Sequence, residues 1–186
     1  MKKLGKYLGI ITRVIILLIA VFYGSYYLTG IHPETSLERY IRTDFTMDYQ
    51  EFSRFCAYNT KGLFAELYKE SDYSAKEIEK LMKERSQRAV SSLKEVYGLD
   101  YKISVKVITA KPFDEELLAN SIAGIESTFA YLDYDIEKII NTDKITAMTA
   151  YEYEVVIAGS KGESSYQGAM LMAKVGGRWG ALPNMF

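Results

Sequence analysis

The sequence predicts an α+β protein: an N-terminal transmembrane helix, then helices packed on an antiparallel sheet. Three observations support this. Residues 8–29 form one long apolar run. Apolar residues recur every three or four positions through most of residues 36–98, which is typical of amphipathic helices. From Tyr101, and again through the last 45 residues, apolar and polar residues alternate, which is typical of half-buried strands.

The first element is the apolar run of residues 8–29. It has 22 residues and a single charge, Arg13. At 1.5 Å per residue, such a helix spans the roughly 30 Å hydrocarbon core of a bilayer. Four basic residues precede or begin the run, whereas only Arg39 and Arg42 follow it closely. We therefore expect a single-pass protein of the plasma membrane. The N-terminus is cytoplasmic, and the domain of residues 31–186 is extracytoplasmic.

A cleaved signal peptide is the alternative interpretation of this N-terminal region. Residues 14–22 have the length of a signal-peptide apolar core, and Gly24 and Ser25 are small residues. However, no A-x-A cleavage pattern follows, and the apolar run continues to Leu28. Residues 1–30 are therefore interpreted as a basic tip and a membrane anchor. Both interpretations place the domain outside the cytoplasm.

Helices are predicted next. Thr35 or Ser36 can cap a first helix, whose apolar stripe begins at Leu37 and is interrupted near Thr46–Asp48, as one kinked helix or two consecutive helices. The sequence Ser74–Ala75–Lys76–Glu77 is a capping box that opens another helix, and Gly98 is a typical C-terminal residue for it. Further along the chain, Asp114 can cap a helix that continues to Leu132.

Four strands complete the predicted order, α-α-β-α-β-β-β. The first begins at Tyr101 and ends at Pro112, and the others form a meander. Residues 145–158 and 163–175 are two strands joined by the turn 159–162. Gly176–Gly177 is a two-residue hairpin signal before the last strand, which begins at Arg178.

Charge argues against nucleic acid as a partner. Four of the 23 basic residues and none of the 24 acidic residues lie in the first 30 positions, so the remainder carries a net charge of −5. Binding to phosphate backbones needs clustered Lys and Arg. We expect the membrane, through residues 8–29, and a protein partner instead.

The usual catalytic and metal-binding side chains are scarce. The only histidine is His32, directly after the apolar run, and the only cysteine is Cys56. Hydrolase triads need a base beside the nucleophile, and zinc sites need clusters of Cys and His. No phosphate-binding glycine loop is present. We therefore predict no catalytic residues, no metal and no cofactor.

Aromatic residues on the strands are the remaining candidates for a ligand site. They can line a pocket on one face of the sheet, with core packing as the alternative. No carboxylate falls on a clearly apolar strand face, because Glu152 and Glu154 alternate with the tyrosines. The pocket candidates are Tyr101, Tyr151, Tyr153, Tyr166 and Trp179.

The order of elements over residues 35–182 resembles the nuclear-transport-factor-2-like (cystatin-like) superfamily. The ending AKVGGRWGAL is similar to the last hairpin of many small exported proteins of Gram-positive bacteria with that fold. The resemblance implies a cone-like domain with a curved sheet wrapped over N-terminal helices. It does not imply one function, because the superfamily includes isomerases, dehydratases and binding domains.

Three functions follow from these features. The first is a non-enzymatic domain that binds a protein partner or an envelope component. The second is a small-molecule-binding or isomerase-like enzyme, which requires a pocket with a carboxyl group beside a tyrosine hydroxyl. The third is an accessory subunit of a membrane assembly, which requires a large exposed apolar patch.

Overall fold

The computed structural model describes residues 30–70 and 73–183. In this part of the chain the protein is α+β, with helices and one antiparallel sheet, as the sequence predicts. The predicted membrane-spanning run, residues 8–29, lies outside the described residues. Among the helices of the described ranges, none combines the length and the apolar character needed to cross a bilayer.

The helical region before the sheet has more divisions than the sequence pattern indicates. Within the described ranges, four helices precede the first strand. They are α1 (Pro33–Thr46), α2 (Tyr49–Phe55), α3 (Thr60–Leu67) and α4 (Ala75–Tyr97). Local chemistry explains the breaks: Met47 has a φ of 52° after α1, and the Asp48 side chain caps α2 by accepting from two backbone N–H groups. The Asn59 side chain caps α3 by accepting from the Gly62 N–H.

The start of α1 differs from the expected one. Neither Thr35 nor Ser36 is the N-cap; the helix begins at Pro33, with His32 in the N-cap position. Proline suits the first helical turn because its φ is already helical and no N–H is needed there. Ser36 is instead buried inside the first turn, where its hydroxyl donates to the His32 carbonyl at 3.0 Å.

The predicted caps of the two longer helices are confirmed. The Ser74 side chain accepts from the Glu77 N–H, and the Glu77 carboxylate accepts from the Ser74 N–H in return. Asp114 accepts from the Leu117 N–H at 2.8 Å and opens α5 (Glu115–Tyr131). A short helix, α6 (Ile136–Ile139), and a 3₁₀ turn at Thr142–Lys144 lead into the meander.

The sheet is a four-stranded antiparallel meander in the order β1-β2-β3-β4. Its strands are β1 (Lys102–Pro112), β2 (Ile145–Gly159), β3 (Gly162–Val175) and β4 (Arg178–Leu182). Both predicted hairpins are present. Gly159 pairs with Gly162 across the first turn, while Gly176 and Gly177 have φ values of 57° and 84° in the second. Positive φ at both central residues matches the right-handed twist of the flanking strands, and glycine reaches it without a steric penalty.

The core lies between α1 and the sheet. Leu37 and Ile41 of α1 are fully buried, and α1 contacts β1, β3 and β4. Along β2, Tyr151, Val155 and Ile157 are buried at alternate positions, as the period of two predicts. The chain after α2 adds to the sheet edge, because Cys56 forms a parallel bridge with Ala181 of β4.

Candidate functional site

A large cleft opens between α1, the middle of the sheet and α5. Its volume is about 1000 Å³, which is in the range of small-molecule sites. Its walls come from helix α1, the loop after α2, all four strands and helix α5. The charged and phenolic residues in its lining are Tyr40, Asp44, Tyr58, Lys111, Tyr151 and Glu152.

Tyr40 comes from the apolar stripe of α1. It follows Leu37 by three residues, so both side chains point toward the core side of the helix. The residue is 2% exposed, and its ring lies 5.4 Å from the ring of Phe52. Burial is the main cause that raises the pKa of Tyr40, and the charge of Asp44 adds to it. The hydroxyl is therefore protonated at any physiological pH.

Asp44 lies one helical turn after Tyr40 on the same face of α1. The residue is exposed to the cleft. The surrounding protein nevertheless removes enough water to raise the pKa of its carboxyl group. Its charge also raises the pKa of Tyr153 on β2, after burial of that ring. Asp44 therefore lies near enough to Tyr40 and Tyr153 for its charge to act on both hydroxyls.

Tyr58 enters the cleft because the preceding residues attach to the sheet edge. The Ala57 N–H donates to the Ala181 carbonyl at 2.8 Å, beside the Cys56–Ala181 bridge. The Tyr58 ring then packs edge-on against Phe129 of α5, with centroids 5.7 Å apart. Burial, with the neighbouring Cys56, raises the pKa of Tyr58 to about 12.

The strands contribute Tyr151 and Glu152 from adjacent positions of β2. Tyr151 is 4% exposed and pairs across the sheet with Ala110 and Met170. Burial raises its pKa, and the charge of Glu34 contributes. The Glu152 carboxylate is exposed and accepts a hydrogen bond of 3.0 Å from the Thr109 hydroxyl.

The five aromatic residues predicted as pocket candidates do not share one site. Tyr151 lines the cleft. Tyr153 is half-buried beside it, near Asp44, and Trp179 lines a separate crevice of about 370 Å³ next to Cys56. Tyr101 packs half-buried against the core. Tyr166 is 47% exposed, and its hydroxyl oxygen lies 3.3 Å from that of Tyr97.

Three residues of the cleft were missed by the strand pattern: Tyr40, Asp44 and Tyr58. The first two are on a helix rather than on the sheet. A signal for Asp44 was available, because it extends the apolar series of Leu37, Tyr40 and Ile41 at helical spacing. An acidic residue on an apolar helix face is unusual enough to mark a candidate site. No comparable signal marks Tyr58.

The residues of the cleft can both donate and accept hydrogen bonds. Because their pKa values are raised, the phenols of Tyr40, Tyr58 and Tyr151 remain hydrogen-bond donors. Asp44 can accept a hydrogen bond, a proton or a positive charge. Within residues 30–70 and 73–183, no group of three or more His, Cys, Asp or Glu side chains is placed to hold a metal ion.

Comparisons with family models, with curated proteins and with solved structures find no match for this chain. The resemblance to the nuclear-transport-factor-2-like superfamily therefore stays a prediction.

Proposed function

We propose that the domain binds a small organic molecule in the cleft between α1, the sheet and α5. One observation supports this above the others: Asp44 and three tyrosines, Tyr40, Tyr58 and Tyr151, line the same open volume of about 1000 Å³. A carboxyl group beside tyrosine hydroxyls was the requirement set by the second of the three functions. Ligand sites typically combine apolar and aromatic walls with a few converging polar groups, as this cleft does.

Acid–base catalysis is compatible with this cleft but is not needed for the proposal. An isomerase-like reaction would use Asp44 as proton acceptor and a tyrosine hydroxyl as donor to a developing oxyanion. Binding needs no proton transfer, since the same groups only have to hold the ligand. We therefore propose binding as the function.

Gly124 on α5 offers a direct test of the proposal. It lines the cleft, and a Cβ added there has no neighbouring atom within 4 Å. In Gly124→Phe the ring occupies the cleft without a clash at Cβ. Ala119→Phe is the matched control, because Ala119 is an exposed residue of the same helix and does not line the cleft.

The test uses the methyl NMR signal of Met170, which lines the cleft, in the full chain solubilised in detergent. The probes are two neutral compounds, 2-phenylethanol and 3,3-dimethylbutan-1-ol, each with an apolar body and one hydroxyl. We expect a saturable shift of the Met170 signal in the native chain and in Ala119→Phe, and its loss in Gly124→Phe. An equal shift in Gly124→Phe would place binding elsewhere and contradict the proposal.

A protein partner is the second candidate, and exposed apolar residues favour it. Val96, in the last turn of α4, is 57% exposed, and Leu99, just after the helix, is 85% exposed. Burial of two such side chains stabilises an interface by about 1.5–3 kcal/mol each. The double substitution Val96→Ser and Leu99→Ser should then abolish association measured by crosslinking in intact cells. Unchanged crosslinks would remove this candidate.

We also propose the cellular location from the sequence. Residues 8–29 would anchor the chain in the plasma membrane, and the cleft would then face the extracytoplasmic side. Ligands from outside the cell would reach it directly.

A further inference from the structure

The charge of Asp44 is not compensated by the protein. Within the described ranges, no Lys or Arg nitrogen lies within 4.0 Å of its carboxylate, and no hydrogen-bond donor contacts it. Several other carboxylates of the domain have cationic partners: Glu51 binds Arg54 at 2.8 Å, and Asp135 binds Lys138 at 2.9 Å. A carboxylate that is partly removed from water and has no cationic partner is destabilised. A ligand that supplies a positive charge would relieve this cost, and its binding would be stronger for it.

Aromatic residues share the cleft with this uncompensated charge. Tyr40 and Tyr58 line the cleft with Asp44, and Tyr153 lies near enough for the charge of Asp44 to raise its pKa. The faces of aromatic rings carry partial negative charge and attract cations within about 6 Å of the ring centre. Rings and carboxylate thus favour the same sign of ligand charge, and both disfavour an anion.

The other charged groups near Asp44 do not reverse this preference. Glu152 and Lys111 line the cleft, so its formal charge with Asp44 is −1. On the other side, Arg85 of α4 shares with Asp44 a second crevice of about 200 Å³. Arg85 lies beyond ion-pair distance of Asp44, and burial alone accounts for the raised pKa of Asp44.

We propose that the ligand of the cleft is an organic ammonium ion, held by Asp44 and the surrounding tyrosine rings. This inference rests on the proposed binding function and specifies the chemical class of its ligand. A protonated amine or a quaternary ammonium group lies against Asp44, and the apolar body of the molecule occupies the cleft toward Tyr151. The tyrosine hydroxyls add hydrogen bonds to any oxygen on that body.

Two matched pairs of probes test the inference. Phenethylamine and 2-phenylethanol differ mainly in charge, and so do choline and 3,3-dimethylbutan-1-ol. The Met170 methyl shift of the full chain in detergent gives the affinity of each compound. Asp44→Asn removes the proposed counter-charge while keeping the size of the side chain. Glu38→Gln removes one charge from an α1 residue that instead pairs with Arg42 and does not line the cleft.

We expect each cation to bind about tenfold more tightly than its neutral counterpart, a difference of about 1.4 kcal/mol. Asp44→Asn should abolish this preference, and Glu38→Gln should keep it. Equal affinity of charged and neutral probes in the native chain would overturn the inference and leave the binding function intact. A preference for cations that persists in Asp44→Asn would overturn it as well. If none of the four compounds shifts Met170, the proposed function fails together with the inference.

Discussion

The Tyr153 hydroxyl lies directly above Gly168, the residue opposite it on β3. A Cβ atom placed at Gly168 would come within 2.6 Å of the Tyr153 hydroxyl oxygen and 2.7 Å of the adjoining ring carbon. Glycine at this position therefore lets the ring lie flat along the sheet. The charge of Asp44 raises the pKa of this same tyrosine, so the contact with Gly168 positions a ring that interacts with the carboxylate.

We predict that Gly168→Ala destabilises the domain through this contact. The added methyl group forces the Tyr153 ring to move, and overpacking of this kind costs about 1 kcal/mol or more. In a Tyr153→Ala background the clash is absent, so the same substitution should be neutral or stabilising by about 0.5 kcal/mol. Urea denaturation of the native chain, the two single variants and the double variant gives the coupling energy between the two positions, which we expect to be about 1 kcal/mol.

Gly124→Ala is the control for the effect of an added methyl group. It stands in the interior of α5 with no atom within 4 Å of a Cβ, so alanine should stabilise the helix by about 1 kcal/mol. If the effects of Gly168→Ala and Tyr153→Ala on the free energy of unfolding were additive, the position of the Tyr153 ring would not depend on having glycine at 168.

Local chemistry explains why much of the fold was predictable. The Ser74–Glu77 capping box and the Gly176–Gly177 hairpin are determined by a few neighbouring residues, so their patterns are visible in the sequence and both are confirmed. The predicted start of α1 was wrong, because proline in the first turn outweighed the capping preference of Ser36.

The cleft depends on contacts between distant parts of the chain, so of its polar and aromatic lining the sequence pattern identified Tyr151 but not Tyr40, Asp44 or Tyr58. Tyr58 reaches it only because Cys56 pairs with Ala181, far away in sequence. Asp44 becomes distinctive only when the fold brings β2 near enough for its charge to raise the pKa of Tyr153. Spacing along one element cannot reveal either relationship, since each needs the tertiary arrangement of two elements.

The stability of the domain should depend on pH through Asp44. Its pKa in the folded state is raised above the ordinary value of 3.8, so the folded protein binds the proton more tightly than the unfolded chain does. The contribution of Asp44 to the free energy of unfolding therefore falls as pH rises through and above 3.8. Asp44→Asn removes the cost of keeping a partly buried carboxylate ionised at neutral pH.

We expect Asp44→Asn to be more stable than the native chain at pH 7, with a difference that shrinks as pH falls below about 4. Urea denaturation midpoints between pH 3 and pH 7 measure it. Glu38→Gln, in which an exposed paired carboxylate is lost, should not show this gain at neutral pH. A native chain that is more stable than Asp44→Asn at pH 7 would contradict the raised pKa.

Cys56 should be unreactive in the folded protein. The residue is 9% exposed, and burial raises the pKa of its thiol to about 12. Since the thiolate is the reactive form, the folded protein should react with Ellman's reagent at pH 8 at least about 100-fold more slowly than the unfolded chain in urea. Absorbance at the start of the reaction gives both rates, and comparable rates would show that the loop after α2 opens readily.

The predicted orientation can be tested with a cysteine in place of Lys161. This residue is exposed in the two-residue turn between β2 and β3. Its backbone N–H donates to the Tyr97 carbonyl, and a cysteine keeps that bond. If residues 8–29 anchor the chain with the domain outside, a membrane-impermeant maleimide should label Lys161→Cys in intact cells. The native chain, in which Cys56 is buried, should remain unlabelled.

Lys2→Cys, on the predicted cytoplasmic side, is the control and should be labelled only after lysis. If Lys161→Cys were also labelled only after lysis, the predicted orientation would be reversed.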